Sequence, residues 1–259
     1  MISPLIKPRF KIFLLTALFM CGLSAMTVVP AEAGTWRVSP IKLYFDAKSR
    51  SDVITVTNDG DQALSLEITA MEWSQNQEGE DIYLPATDLV FFPKQLSVEP
   101  KKERVIRTGI KIPAMKKEKT YRLFIKEIPN KKPEASNTVA IAIQFGVPVF
   151  VKPAVDETKG VISDATITEG TASIKIANQG SSHFRINTVA LEGLSAAGKV
   201  LYSEDLNGWY VLSGNNRKFA TTIPPEICKQ LNIMKIQVNT EQFKFNGQIN
   251  VRKAMCSAQ

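Results

Sequence analysis

Histidine is almost missing from this 259-residue chain, which has one, and cysteine is scarce at three. His183 has no Cys, Asp or Glu cluster beside it at ligand spacing, so the usual zinc sets have no basis and no metal is expected. No serine stands in a nucleophile elbow, and glycine-rich loops with phosphate-binding spacing are lacking, which removes support for acyl transfer and nucleotide chemistry. Carboxylate pairs such as Asp156-Glu157 and Asp59 with Asp61 fall in turns, where solvation accounts for them. The chain is not read as an enzyme, and no cofactor is expected.

Strong charge of one sign is lacking too. The formal balance is +7, and it becomes +5 (29 basic against 24 acidic residues) once the first 33 residues are set aside. Lys and Arg are scattered among Glu and Asp rather than focused with aromatics, so no nucleic-acid partner is expected. Lys101-Lys102, Lys116-Lys117 and Lys131-Lys132 read as solvated turns.

Those first 33 residues have the form of a secretory leader. Lys7, Arg9 and Lys11 precede an apolar run from Ile12 to Leu23 that is short for a membrane span, and Ala31-Glu32-Ala33 supplies a small-x-small cleavage pattern. A mature chain beginning at Gly34 is expected in the periplasm, with no membrane insertion. A lipid anchor at Cys21 is not expected, because Leu18-Phe19-Met20 lack the small residues that such a site needs. Only Cys228 and Cys256 survive cleavage. Export places them where disulfides persist, and a bridge between them is expected.

No stretch of the mature chain keeps apolar residues at helical spacing for three turns. Short strand signals dominate instead: Val53 to Thr57, Leu64 to Ile68, Ile174 to Ile176 and Phe184 to Asn187, separated by Asn, Asp, Gly and Pro clusters. The 226 mature residues suit two domains, with a break near Lys152-Pro153-Ala154-Val155. An internal echo supports the division. Ile54-x-Val56-x-Asn58-x-Gly60 followed by Leu64-x-Leu66 recurs as Ile174-x-Ile176-x-Asn178-x-Gly180 followed by Phe184-x-Ile186, a constant offset of 120 residues. Each copy reads as strand, turn, strand, with Asn and Gly tolerating positive φ in the turn. The expectation is an all-β chain of two immunoglobulin-like β-sandwich domains in tandem, 34–152 and 155–259 after the 1–33 signal peptide.

The most unusual segment runs from Val139 to Val151. Its odd positions Val139, Ile141, Ile143, Phe145, Val147, Val149 and Val151 are all apolar, and fully extended the row would reach about 40 Å. Between them lie Ala140, Ala142, Gln144, Gly146 and Pro148, small or poor in hydrogen bonds. Proline lacks an N–H, so the strand is not expected mid-sheet over its whole length. Two readings stay open: a core strand covered by the protein's own sheets, or an undefended edge kept for β-augmentation by another chain.

Taken together, Ser39 to Asp46, Val53 to Asn58, Leu96 to Pro100, Tyr121 to Pro129, Val139 to Pro153 and Asn178 to Phe184 make the chain similar to the periplasmic pilus-assembly chaperones of the PapD-like superfamily. Glu127-Ile128-Pro129 followed by an alternating apolar strand is the most specific element. The resemblance implies a chaperone that completes pilus subunits (pilins) by donor-strand complementation and delivers them to an outer-membrane usher. By alignment Val139, Ile141 and Ile143 fall on donor positions, with Phe145 and Val147 extending the row. The family anchors the subunit's C-terminal carboxylate with two basic residues. Lys42 aligns with the first, but the second falls on Pro148, which cannot serve. Arg122 is the substitute, as in the archaic, spore-coat-U-associated branch; solvated surface side chains are the alternative for both Lys42 and Arg122. Glu118 and Lys152 align with a pair that crosses the domain junction. Self-association of the free protein and, as a competing class, a pilus subunit or adhesin remain open.

Overall fold

A computed structural model describes residues 36–111, 115–129 and 141–256. The leader and Val139 lie outside the described residues. The described chain is almost wholly β, as expected, and its sheets form two sandwiches.

In the first sandwich, β1 (Trp36–Ser39), β3 (Ser51–Asn58), β8 (Glu103–Ile110) and β6 (Leu89–Phe92) form one sheet in the order β1-β3-β8-β6. The second sheet runs β2 (Leu43–Phe45), β10 (Gln144–Val151), β9 (Lys119–Glu127), β4 (Leu64–Gln75), β5 (Asp81–Pro85), and β7 (Gln95–Val98) pairs with the first part of β4. Alternate residues from both sheets, among them Ile54, Val56, Leu66, Ile106, Leu123 and Ile125, fill one core. This is the period-two burial that amphipathic strands impose.

The second sandwich repeats the plan. One sheet is β11 (Gly160–Thr168), β12 (Thr171–Asn178) and β16 (Asn216–Thr222). The other is β14 (Val200–Asn207), β13 (Phe184–Leu194), β17 (Ile233–Thr240) and β18 (Lys244–Asn250), with the short β15 (Tyr210–Val211) on β13. Cys228 closes the helix α1 (Pro225–Cys228) and is bridged to Cys256 with 5.6 Å between Cα atoms, the expected pairing. Both cysteines are buried members of the second core.

The internal echo is real, and each of its turns crosses between sheets. β3 and β4 belong to opposite sheets, and so do β12 and β13, so each Asn-x-Gly segment arches across its sandwich. Asn58 Nδ2 donates to the carbonyls of Gln62 (2.7 Å) and Val98 (2.9 Å), while its Oδ1 accepts from Gly60 N–H at 3.0 Å. Asn178 repeats the set with Ser182 (2.8 Å), Val211 (2.9 Å) and Gly180 (2.9 Å). Each amide satisfies buried backbone groups that a two-sheet crossing would otherwise strand. Neither Gly60 nor Gly180 has the positive φ expected for the turn. Gly180 is required by close approach instead, since a Cβ there would lie 2.3 Å from Glu157 O.

A third apolar cluster, Trp73, Phe150, Tyr210 and Leu212, draws on both sandwiches and ties them together. Around it Gln75 donates to Tyr210 O (2.9 Å) and accepts from Leu212 N–H (3.0 Å). Trp209 Nε1 donates to Asp81 (2.8 Å). These contacts place β15 against β4 and so fix where the cleft between the sandwiches falls.

Candidate functional site

β10 decides the character of the first sandwich. It pairs antiparallel with β9 from Gln144 to Val151, but on its other side the parallel partner β2 covers only Val149 to Val151. Among the described residues, the Gln144–Pro148 stretch therefore has no ladder neighbour on that side. Pro148 sits where the ladder to β2 stops, and there its missing N–H costs little.

The apolar row expected over Val139–Val151 is consequently divided. Val147 (3 % exposed), Val149 and Val151 are part of the first core, so Val147 does not extend an available face as expected. Ile143 and Phe145 pack at the rim of that core, and Phe145 meets Trp36 edge-on at 4.6 Å. Ile141 is 81 % exposed. The strand is also shorter than the sequence pattern implies, because Ile141 to Ile143 lie before its first ladder residue. Pairing with the neighbouring chain begins to fade there: Glu127 N–H still donates to Ile143 O at 2.9 Å. Among the described residues, the segment is thus a core strand at one end and an edge without a ladder neighbour at the other.

Beside this edge lies a cationic cleft floored by aromatics. Arg122 on β9 is 9 % exposed. Its guanidinium carbon is 4.2 Å from the Trp73 ring centre, 5.4 Å from Trp209 and 5.9 Å from Tyr210. Nη1 donates to Gly146 O on β10 at 3.1 Å, but among the described residues buried Nε and Nη2 have no hydrogen-bond partner and no acidic side chain pairs with the group. A buried charge left this way is costly unless something pairs with it. The ring faces offset part of that cost through cation–π attraction. The solvated-surface alternative for Arg122 is therefore wrong.

Lys42 is only partly exposed and is held by Glu241, whose two oxygens both accept from Nζ at 3.1 Å. Arg185 Nη1 also donates to Glu241, at 3.2 Å. Burial alone would lift the Glu241 carboxyl and depress the Lys42 ammonium, but the hydrogen bonds and opposite charges prevail, holding Glu241 below the usual carboxylate range and Lys42 above the usual amine range. Lys42 and Arg185 each lie 5.7 Å from the Tyr210 ring centre. Tyr210 thus brings Lys42 from the first sandwich, Arg185 from the second and Arg122 within 6 Å of one ring. Arg185 and Glu241 carry no local sequence signal.

The expected Glu118–Lys152 pair does not form. The Glu118 side chain is buried and takes both the backbone N–H (2.9 Å) and Nδ1 (2.7 Å) of His183, while Lys152 pairs with Asp156 at 3.4 Å. The reason is steric and local: His183 lies flat on Phe150, 3.6 Å between ring centres, and presents its Nδ1 to Glu118. Glu118 does bridge the sandwiches, but through the single histidine of the chain.

Residues 36–156 match the family model for the pili and flagellar-assembly chaperone PapD N-terminal domain. Over those residues the chain is a PapD-like pilus-assembly chaperone domain. Solved structures similar in fold include one of the CsuC–CsuE chaperone–tip adhesion subunit pre-assembly complex from the archaic chaperone-usher Csu pili of Acinetobacter baumannii. That match has 18 % identity and a TM-score of 0.54, over 72 % of this chain and 90 % of the other. The YadV chaperone matches at 13 % identity and a TM-score of 0.55, covering 84 % and 100 % of the two chains. The Salmonella enterica SafA pilin–SafB chaperone complex matches at 13 % and 0.53, covering 84 % and 98 %. No curated protein sequence matches the chain. The family is one of chaperones, not enzymes. Among the described residues no group of three or more metal-ligating side chains occurs, and no helix is long and apolar enough to cross a membrane.

Proposed function

We propose that this PapD-like chaperone works in the periplasm, captures pilus subunits by donor-strand complementation and passes them to an outer-membrane usher. The observation that carries the reading is that, among the described residues, Gln144–Pro148 has no ladder neighbour on one side, next to a buried arginine with unpaired donors. A subunit strand laid along β10 gains main-chain hydrogen bonds, and alternate side chains enter its groove. The donor row in this reading is Val139, Ile141, Ile143 and Phe145; Val147 is withdrawn because it is committed to the chaperone's own core. Burying Ile141 and Ile143 would contribute about 3 to 6 kcal/mol before the costs of association.

Arg122 and Lys42 then receive the subunit's C-terminal carboxylate at the foot of the cleft. Carboxylate bound to an arginine gains charge-assisted, geometrically defined hydrogen bonds. Arg122 in this role suits the archaic branch, and domain boundaries of 34–152 and 155–259 suit the division of the sheets. The bare edge also offers a route to self-association when no subunit is bound.

The test is co-purification from periplasm. Ile141→Asp with Ile143→Asp should leave a folded, exported chaperone that no longer recovers its pilin, which is then degraded. Normal pilin recovery by the double variant would refute the assignment of the strand, and recovery of fibre subunits joined in a polymer would point to a pilus subunit or adhesin instead.

A further inference from the structure

The cleft holds three cations around Tyr210, namely Lys42, Arg122 and Arg185, and one carboxylate among them, Glu241, which occupies two of the three. We infer that Glu241 is a resident carboxylate that fills the anchoring site of the free chaperone and is exchanged for the incoming terminal carboxylate, with Arg185 as a third anchoring cation. The inference rests on the proposed function above and deepens it.

Several observations support the exchange. The cleft has more donors than acceptors: Arg122 Nε and Nη2 and Arg185 Nε are all buried without a partner, although Glu241 is already in place. A second carboxylate therefore has donors waiting for it. Glu241 sits in the turn between β17 and β18, and that turn does not depend on its side chain. Thr240 Oγ1 accepts from the N–H of Gln242 (3.2 Å) and of Phe243 (2.8 Å), and Glu241 N–H donates to Arg185 O at 3.1 Å. The Glu241 side chain remains 35 % exposed, so it can swing to water while the backbone stays fixed. Swapping one carboxylate for another leaves the charge of the cleft unchanged, so Lys42 and Arg185 stay paired in either state. The same swap run backwards lets Glu241 return as a subunit leaves, so neither capture nor release abandons Lys42.

The probe is N-acetylglycine, a small C-terminal carboxylate, titrated into the whole mature chaperone and followed through the indole N–H resonances of Trp73 and Trp209; N-acetylglycinamide is the uncharged control. Glu241→Gln keeps the shape of the side chain and removes the competing charge. The expected result is binding of N-acetylglycine about five- to tenfold tighter to the variant than to the unaltered protein, with no gain for the amide. Equal or weaker binding to Glu241→Gln would overturn the inference, because a residue that merely positions Lys42 and Arg185 would lower affinity when neutralised. Failure of the variant to bind the acid in preference to the amide would overturn it as well. Since the titration involves no pilin and no donor strand, its outcome is separate from that of the Ile141 and Ile143 test.

Discussion

Replacing Arg122 with Met should divide stability from capture. In the free protein the guanidinium makes one hydrogen bond, Nη1 to Gly146 O at 3.1 Å, and stacks on Trp73 at 4.2 Å. A hydrogen bond from a charged group contributes about 1.5 to 3 kcal/mol, and a partly desolvated cation–π contact about 1 to 2 kcal/mol. Against this stands the burial of a charge with two unpaired N–H groups, which costs several kcal/mol and disappears with the substitution. Met fills much of the same volume against the rings, so the opposing effects nearly cancel. The net change should lie within about 1 kcal/mol, or roughly 2 to 4 °C in Tm for a chain of this size. Capture is different, because removing one partner of a desolvated charge pair costs about 2 to 5 kcal/mol, so affinity for a subunit should fall by at least about thirtyfold. Calorimetric melting measures the first quantity and titration with a purified, destabilised pilin the second. A fall of more than 10 °C together with unchanged capture would refute the reasoning, since it would make Arg122 a structural residue and leave the cleft without its central donor.

Two further predictions address the second sandwich. Cys228→Ser with Cys256→Ser removes a closure spanning 28 residues, and the chain-entropy model gives a loss of about 3 to 4 kcal/mol, readable as a lower urea midpoint with an intact fold; two free thiols in unreduced, unfolded protein would end the assignment. The Lys42–Glu241–Arg185 set also contributes pH dependence. The carboxyl of Glu241 is lowered on folding from its ordinary value of 4.5, so its contribution is fully present above that pH and is lost as pH falls through the lowered value. Melting temperatures of Glu241→Gln and the unaltered protein should therefore differ near neutral pH and converge in acid. A gap that widens in acid would contradict that sign.

Much of this architecture is legible in the sequence because it depends on local pattern. Ile54, Val56 and Asn58, and their counterparts 120 residues on, alternate inward because a strand forces that period. The arch between them is not legible, since the same Asn-x-Gly spacing serves a turn within a sheet and a crossing between sheets. The strand of Val139–Val151 was over-read for a related reason. Alternation names a face without saying where the strand stops facing its own core, and here the change falls between Phe145 and Val147. Glu118 aligns with a position at the junction, but its partner His183 lies 65 positions away. No local rule could prefer it to Lys152.

The cleft was the least legible part. Arg122 came from a resemblance, whereas its bed is built from Trp73, Trp209 and Tyr210 on three separated stretches of chain. Once assembled, the arrangement constrains function more tightly than any single residue does. Among the described residues, the edge of β10 that has no ladder partner and the arginine that has no anion are joined by one hydrogen bond, from Arg122 to Gly146 O. A chain that pairs along Gln144–Pro148 and ends in a carboxylate would satisfy both deficits at once. An internal strand of a finished protein could satisfy only the first. The proposed function therefore calls for a terminal strand, the segment an incomplete subunit would have available to present.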